Sequence, residues 1–225
     1  MSGLAFRLGR ALAPVPRTLV PKVLFAHVVA EVAARCASPA EVNRELHRLG
    51  IGAGDIVAVT QATLTLLNRA WPPDGDPRRV AEFSKLVFPD AWLALGDREP
   101  EARVEVAEGG LVWVELGEGP GGDALYKIAT PEGVNPLYFA AGVLEGCAQV
   151  ILGAVGSGWF SFWRPLGQAG VCGFLSSSAR PAEEVARAVG ARAPNFFRDV
   201  SWEDSAKALD EVLGARVPQA PKRAT

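Results

Sequence analysis

The chain has 225 residues and a mass of 23.8 kDa, is 49% hydrophobic and 21% charged, and carries a formal net charge of −2. These values exclude a chain that is disordered throughout and permit one sizeable core. They also argue against a protein whose main work is coating nucleic acid.

The charge is uneven. Residues 1–22 carry Arg7, Arg10, Arg17 and Lys22 and no acid, and Arg216, Lys222 and Arg223 lie near the other end. Two basic ends therefore flank an acidic middle. Residues 1–17 read as a basic N-terminal segment, 18–178 as an α+β domain, and 179–225 as a helical C-terminal extension with a basic tail. The N-terminal segment is weakly amphipathic and reads as a solvated end. An organelle presequence or a membrane-surface contact is the alternative.

In chain order, residues 19–35 are predicted as a helix with Lys22, His27, Glu31 and Arg35 near one stripe and apolar residues on the other faces. Ser38-Pro39-Ala40-Glu41 is a helix start: Ser38 caps, Pro39 suits the first position, and Glu41 completes a capping box. Val42, Leu46 and Leu49 continue at helical spacing, and Gly50 is read as the stop. A third helix is expected over 54–70 and a fourth over 78–88, with Pro89 ending or kinking it. The proline-rich stretch between them, 71–77, reads as a loop.

The pattern then changes to strands. Arg103 to Val106 and Leu111 to Leu116 flank a Glu108-Gly109-Gly110 turn, and Ala124 to Ala129 is a candidate third strand. Gly117 to Gly122 is a loop; Pro120 and Glu118 spoil any phosphate cradle there. Asn135 caps a helix that runs to about Leu152 and is apolar nearly all round. Trp159 to Arg164 and Val171 to Ser176 form an antiparallel pair. Helices at 181–189 and 202–213 complete the extension.

Runs of helices and runs of strands imply an α+β fold, with a twisted antiparallel sheet, helices packed on one face and one buried central helix. Between Val134 and Trp163 the single charge is Glu145. Length alone permits a membrane span, but Pro136 and five glycines interrupt the stretch, so a core helix running into a strand is expected.

No catalytic motif is visible. His27 and His47 sit on amphipathic helices and read as exposed residues. The three cysteines, Cys36, Cys147 and Cys172, have no disulfide or metal spacing. Aromatic residues fall on both faces of the strand Trp159–Trp163, as internal packing or as a partner surface. Gly142 and Gly146 stand four apart on the central helix, which lets a neighbouring backbone approach closely. The sharper alternative is an acyl-chain tunnel beside this helix, an apolar cavity that needs little polar chemistry.

Asn43-x-x-Leu46-x-x-x-Gly50-x-x-x-Gly54 resembles the signature of the small core subunits of TRAPP, the vesicle-tethering complex. Val80 to Leu95 resembles the helix that follows there, and Ala141-Gly142-Val143-Leu144-Glu145-Gly146 is similar to their central helix. The element order over 18–176 agrees. The resemblance implies a non-catalytic scaffold that pairs with related small subunits as a heterodimer or larger assembly. It implies ER–Golgi traffic, a cytoplasmic position peripheral to Golgi and ER membranes, and indirect action on a Rab GTPase. Val28, Val32, Leu46, Leu49, Leu64 and Leu67 are then the interface candidates. One TRAPP subunit type is acylated on a cysteine before the helix matching Val80–Phe88, whereas residues 71–79 contain none here. Val104–Val106, Leu111–Leu116 and Gly170-Val171-Cys172-Gly173-Phe174 also resemble vinyl-reductase-type domains of the same superfamily, which implies, as the alternative, a lipid or tetrapyrrole sensor with an apolar pocket near Gly142, Gly146, Cys147 and Cys172.

Overall fold

The capping box at Ser38 starts the helix around which the domain is organised. Ser38 Oγ accepts the Glu41 N–H at 3.3 Å, and the Glu41 carboxylate accepts the Ala37 N–H at 2.7 Å. In the computed structural model the described residues are 19–60, 75–93, 95, 100–117, 125–155 and 158–197. Among these described residues there are five α-helices and four strands: α1 (Leu19–Arg35), α2 (Pro39–Thr60), α3 (Pro77–Leu93), β1 (Glu101–Val106), β2 (Val112–Gly117), α4 (Leu137–Val155), β3 (Trp159–Leu166), β4 (Gly170–Ser177) and α5 (Ala182–Arg192). Leu64, Leu67, the basic N-terminal segment, the expected helix at 202–213 and the basic tail lie outside the described residues.

The sheet is antiparallel with order β1-β2-β4-β3. The α+β expectation therefore holds. A turn at Glu108–Gly110 joins β1 to β2, where Gly109 has φ 69° and Gly110 φ 81°, values that glycine adopts without steric cost. Residues 125–129 do not form the expected third strand. Leu125 donates one hydrogen bond to the Leu95 carbonyl at 2.6 Å, and the Tyr126 ring packs 5.4 Å from Trp92. That ties the segment to the end of α3 rather than to a ladder.

One face of the sheet meets α3 and α4 in the main core, which includes Val80, Phe88, Trp92, Val114, Leu116, Leu144 and Trp163. The register places Gly173 beside Trp163, and a Cβ on Gly173 would come within 2.6 Å of the Trp163 ring. The missing side chain lets the indole lie flat over β4 and meet Phe88 at 4.6 Å.

The other face is also covered. Trp113, Phe174 and Phe162 align across β2, β4 and β3 with Phe160 beside them on β3, and Phe196, Val185 and Val189 close over them. Phe162 stacks on Phe174 at 5.8 Å. The aromatic residues on both faces of β3 are thus internal packing, and the start of the C-terminal extension is the lid of a second core. Helices are consequently present on both faces, not one: an outward row of Phe and Trp side chains favours a covering element over exposure to water.

α3 continues through Pro89 to Leu93, because Phe88, Ala91 and Trp92 are all buried there. The expected break at Gly50 is absent as well. α2 is one helix through Gly50, Gly52 and Gly54. Its glycines serve a crossing with α4.

Candidate functional site

Gly50 and Gly54 on α2 meet Gly142 and Gly146 on α4. A Cβ on Gly50 would collide with the Phe139 carbonyl oxygen and lie 3.0 Å from Gly142 Cα. A Cβ on Gly54 would strike the Val143 carbonyl oxygen and lie 3.0 Å from Gly146 Cα. The reciprocal contacts hold for Gly142 against His47 and for Gly146 against Ile51. Small residues four apart on both helices allow the backbones to touch, which is how dispersion contacts accumulate without side chains. Cys147 completes the seam by donating its S–H to the Gly54 carbonyl oxygen at 3.3 Å.

The four residues of the candidate apolar pocket are therefore divided. The space beside Gly142 and Gly146 is filled by the α2 backbone, with Cys147 in the same seam. Cys172 belongs to the aromatic core on the far side of the sheet. Its thiol is pushed up to about 12 by burial, with the Glu115 charge adding to the effect.

At the end of this seam lies a polar cluster. Glu145, the one charge of the apolar stretch, points from α4 towards β3. Its Oε2 accepts the Trp163 N–H at 3.2 Å and lies 3.3 Å from His47 Nε2 and 3.8 Å from Arg164 Nη1. The side chains of His47, Glu145 and Arg164 are 14%, 7% and 15% exposed, so this is a buried charge network. Burial by itself raises the Glu145 carboxyl. Its neighbours His47, Arg164 and the Trp163 N–H outweigh burial and hold it below the usual carboxylate range. Arg164 Nη1 also donates to the Trp163 carbonyl oxygen at 2.7 Å and lies 3.2 Å from His47 Nε2. That ring nitrogen has one role at a time: deprotonated it accepts from Arg164, protonated it donates to Glu145.

His47 is thus an inward residue, contrary to the expectation of an exposed one. The signal was Glu145 itself, because a lone carboxylate on an otherwise apolar helix has to find a partner. The cluster opens into a cleft of about 430 Å³ whose walls include Asn43, Arg44, His47, Asn135, Tyr138 and Arg164. A wider groove of about 740 Å³ runs between α3 and β1, with Phe83, Leu86, Val104 and Val106 among its walls. Among the described residues, no three His, Cys, Asp or Glu side chains gather as a metal site. No helix of the described residues is long and apolar enough to cross a membrane.

The interface candidates separate in the same way. Phe25 and Val29 dock α1 onto Val42, Leu46 and Val134, and Phe25 meets Phe139 at 4.7 Å. Leu46 is fully buried in this small core, so it is a packing residue and not an interface residue. Val32 and Leu49 are half-buried. Val28 is 39% exposed, and beside it Val23 and Leu24 are each 62% exposed. The sequence does not distinguish Val23 and Leu24, because α1 is apolar on several faces and periodicity does not rank them.

The chain matches no family model and no curated protein by sequence. Among solved structures it is similar to a trafficking protein particle complex subunit 3 from Naegleria fowleri covalently bound to palmitic acid. The identity is 13%, the TM-score is 0.46, and the match covers 71% of this chain and 95% of that chain.

Proposed function

We propose that this chain is a non-catalytic subunit of a TRAPP-like vesicle-tethering assembly, working through contacts with related small subunits at the surface of ER or Golgi membranes. In such an assembly its effect on a Rab GTPase is indirect. The observation that carries the reading is the strip Val23, Leu24 and Val28, left uncovered on a helix whose inner side is firmly docked. Large apolar side chains grouped on one exposed helix face favour a protein partner. The Asn43–Gly54 signature supports the reading too, since Leu46, Gly50 and Gly54 each have a packing role that their spacing serves.

Covalent acylation is not part of the proposal. Residues 71–79 contain no cysteine, and Cys147 and Cys172 are both buried. A sensor of the vinyl-reductase type is not favoured, because the residues expected to line its pocket lie in a filled seam and on opposite sides of the sheet.

Affinity purification of the full chain from its native cell, with intact-mass measurement of what accompanies it, tests the reading. Related small subunits at fixed stoichiometry are expected. A chain that leaves the column alone, as a stable monomer, contradicts it.

A further inference from the structure

The polar cleft is built rather than accidental. Ala40, Asn43, Arg44 and His47 follow helical spacing, so α2 turns one face towards it. Asn135 and Tyr138 at the start of α4, with Arg164 of β3, supply the other walls. Its volume of about 430 Å³ suits a small organic molecule.

Two arginines, Arg44 and Arg164, line the cleft. Arg44 is exposed and forms no ion pair or hydrogen bond among the described residues. Arg164 is held in place through Nη1, by the Trp163 carbonyl oxygen at 2.7 Å and by Glu145 at 3.8 Å. Its Nε and Nη2 have no acceptor among the described residues. The asparagines are already committed. Asn43 donates to the Gly133 carbonyl oxygen at 3.1 Å and accepts the Asn135 N–H at 2.9 Å, while the Asn135 amide donates to Gly167 at 2.9 Å. They shape the wall and leave recognition to the arginines.

The charges do not balance along the cleft. The walls of the cleft carry two guanidinium groups and no carboxylate, and Glu145 beside them is occupied by the Trp163 N–H and by His47. A guanidinium fixed at one corner, with its remaining N–H edge open, is pre-organised for the planar fork that carboxylates and phosphates accept. Pre-organisation reduces the ordering cost of binding.

We propose that this cleft binds a small oxyanion of the phosphate or carboxylate class, gripped by the open edge of Arg164 and by Arg44. The anion could come from a soluble metabolite or from a phospholipid headgroup. Because α2 and β3 both contribute, an occupant would tie the α2–α4 seam to the β3–β4 hairpin.

The test is calorimetric titration of the full chain with inorganic phosphate and with acetate at constant ionic strength, with chloride as the control anion. Concentrations of about 10 mM fill even a site with a Kd of about 1 mM. Saturable binding of at least one of the two anions is expected. Arg44→Gln, an exposed substitution, should weaken it about tenfold while leaving the melting temperature unchanged. Arg164→Lys keeps the charge but loses the fork, and should also weaken binding. Lys85→Gln, on α3 away from the cleft, should leave it unchanged. Flotation with vesicles of phosphatidylcholine, with and without phosphatidic acid, separates the sources. Flotation on phosphatidic acid that Arg44→Gln abolishes indicates a headgroup, and saturable anion binding without flotation indicates a soluble ligand. Absence of binding to both anions, or binding that Arg44→Gln does not weaken, overturns the proposal.

Discussion

Gly50 of α2 and Gly142 of α4 face one another so closely that a Cβ on either would lie 3.0 Å from the other's Cα. Their reach across the helix crossing sets where α2 lies, and with it the position of His47 over Glu145. Substitutions in the seam should therefore behave differently from substitutions one turn away.

Gly50→Ala should destabilise the fold by about 1–3 kcal/mol, because the new methyl group meets backbone that cannot move aside. Gly52→Ala should do the opposite. Gly52 is exposed with nothing within 4 Å of a Cβ, so alanine there should stabilise the helix by about 0.5–1 kcal/mol. Urea denaturation of both variants checks the pair, and equal effects would contradict the close crossing.

Glu145→Gln should cost about 3 kcal/mol, because it leaves His47 and Arg164 buried without their counter-charge while its amide oxygen can still accept the Trp163 N–H. The folded carboxyl is held below its unfolded value. Its contribution is therefore fully present above the unfolded carboxylate pKa of about 4.3 and declines as pH falls through the lower folded value. Stability measured against pH should fall more steeply on the acid side in the natural chain than in Glu145→Gln. Parallel curves would show that the pair contributes nothing.

The cysteines should react in two classes. Cys36 is half-buried, whereas Cys147 and Cys172 are buried. With its thiol pushed up to about 12, Cys172 is thiolate in only about one molecule in ten thousand at pH 8. A thiol reagent should label one cysteine on the native chain and two more after unfolding. Rapid labelling of all three would mean that both buried sites open.

Leu46 and Leu24 are both leucines on helices at the same end of the domain, with opposite exposure. Leu46→Ala should cost about 2–5 kcal/mol through the cavity left between α1 and α2. Leu24→Ser should change stability by no more than about 0.5 kcal/mol. Thermal melts of the two variants read the difference directly.

The legible parts of the fold were those decided locally. Ser38, Pro39 and Glu41 mark a helix start within four residues, and Asn135 accepts the Leu137 N–H at 3.0 Å as a cap should. The Glu108–Gly110 turn likewise specifies its hairpin. The misread parts were decided at a distance. Gly50 has the sequence appearance of a helix stop, and only the α4 backbone shows that it is a crossing residue. His47 read as exposed because its partner Arg164 is 117 residues away in the chain. The candidate pocket joins Cys147 to Cys172 on the vinyl-reductase resemblance, and the sequence does not show which face of the sheet each occupies.

The proposed role requires partners that cover α1, and purification of a face variant from the native cell reads their loss. Leu24→Glu combined with Val28→Glu charges two residues one turn apart on the exposed strip and leaves the docked side, Phe25 and Val29, untouched. The full chain carrying both changes should melt like the natural chain yet purify from its native cell without the small subunits expected to accompany the natural chain. Recovery of the same subunits at the same stoichiometry would contradict the account.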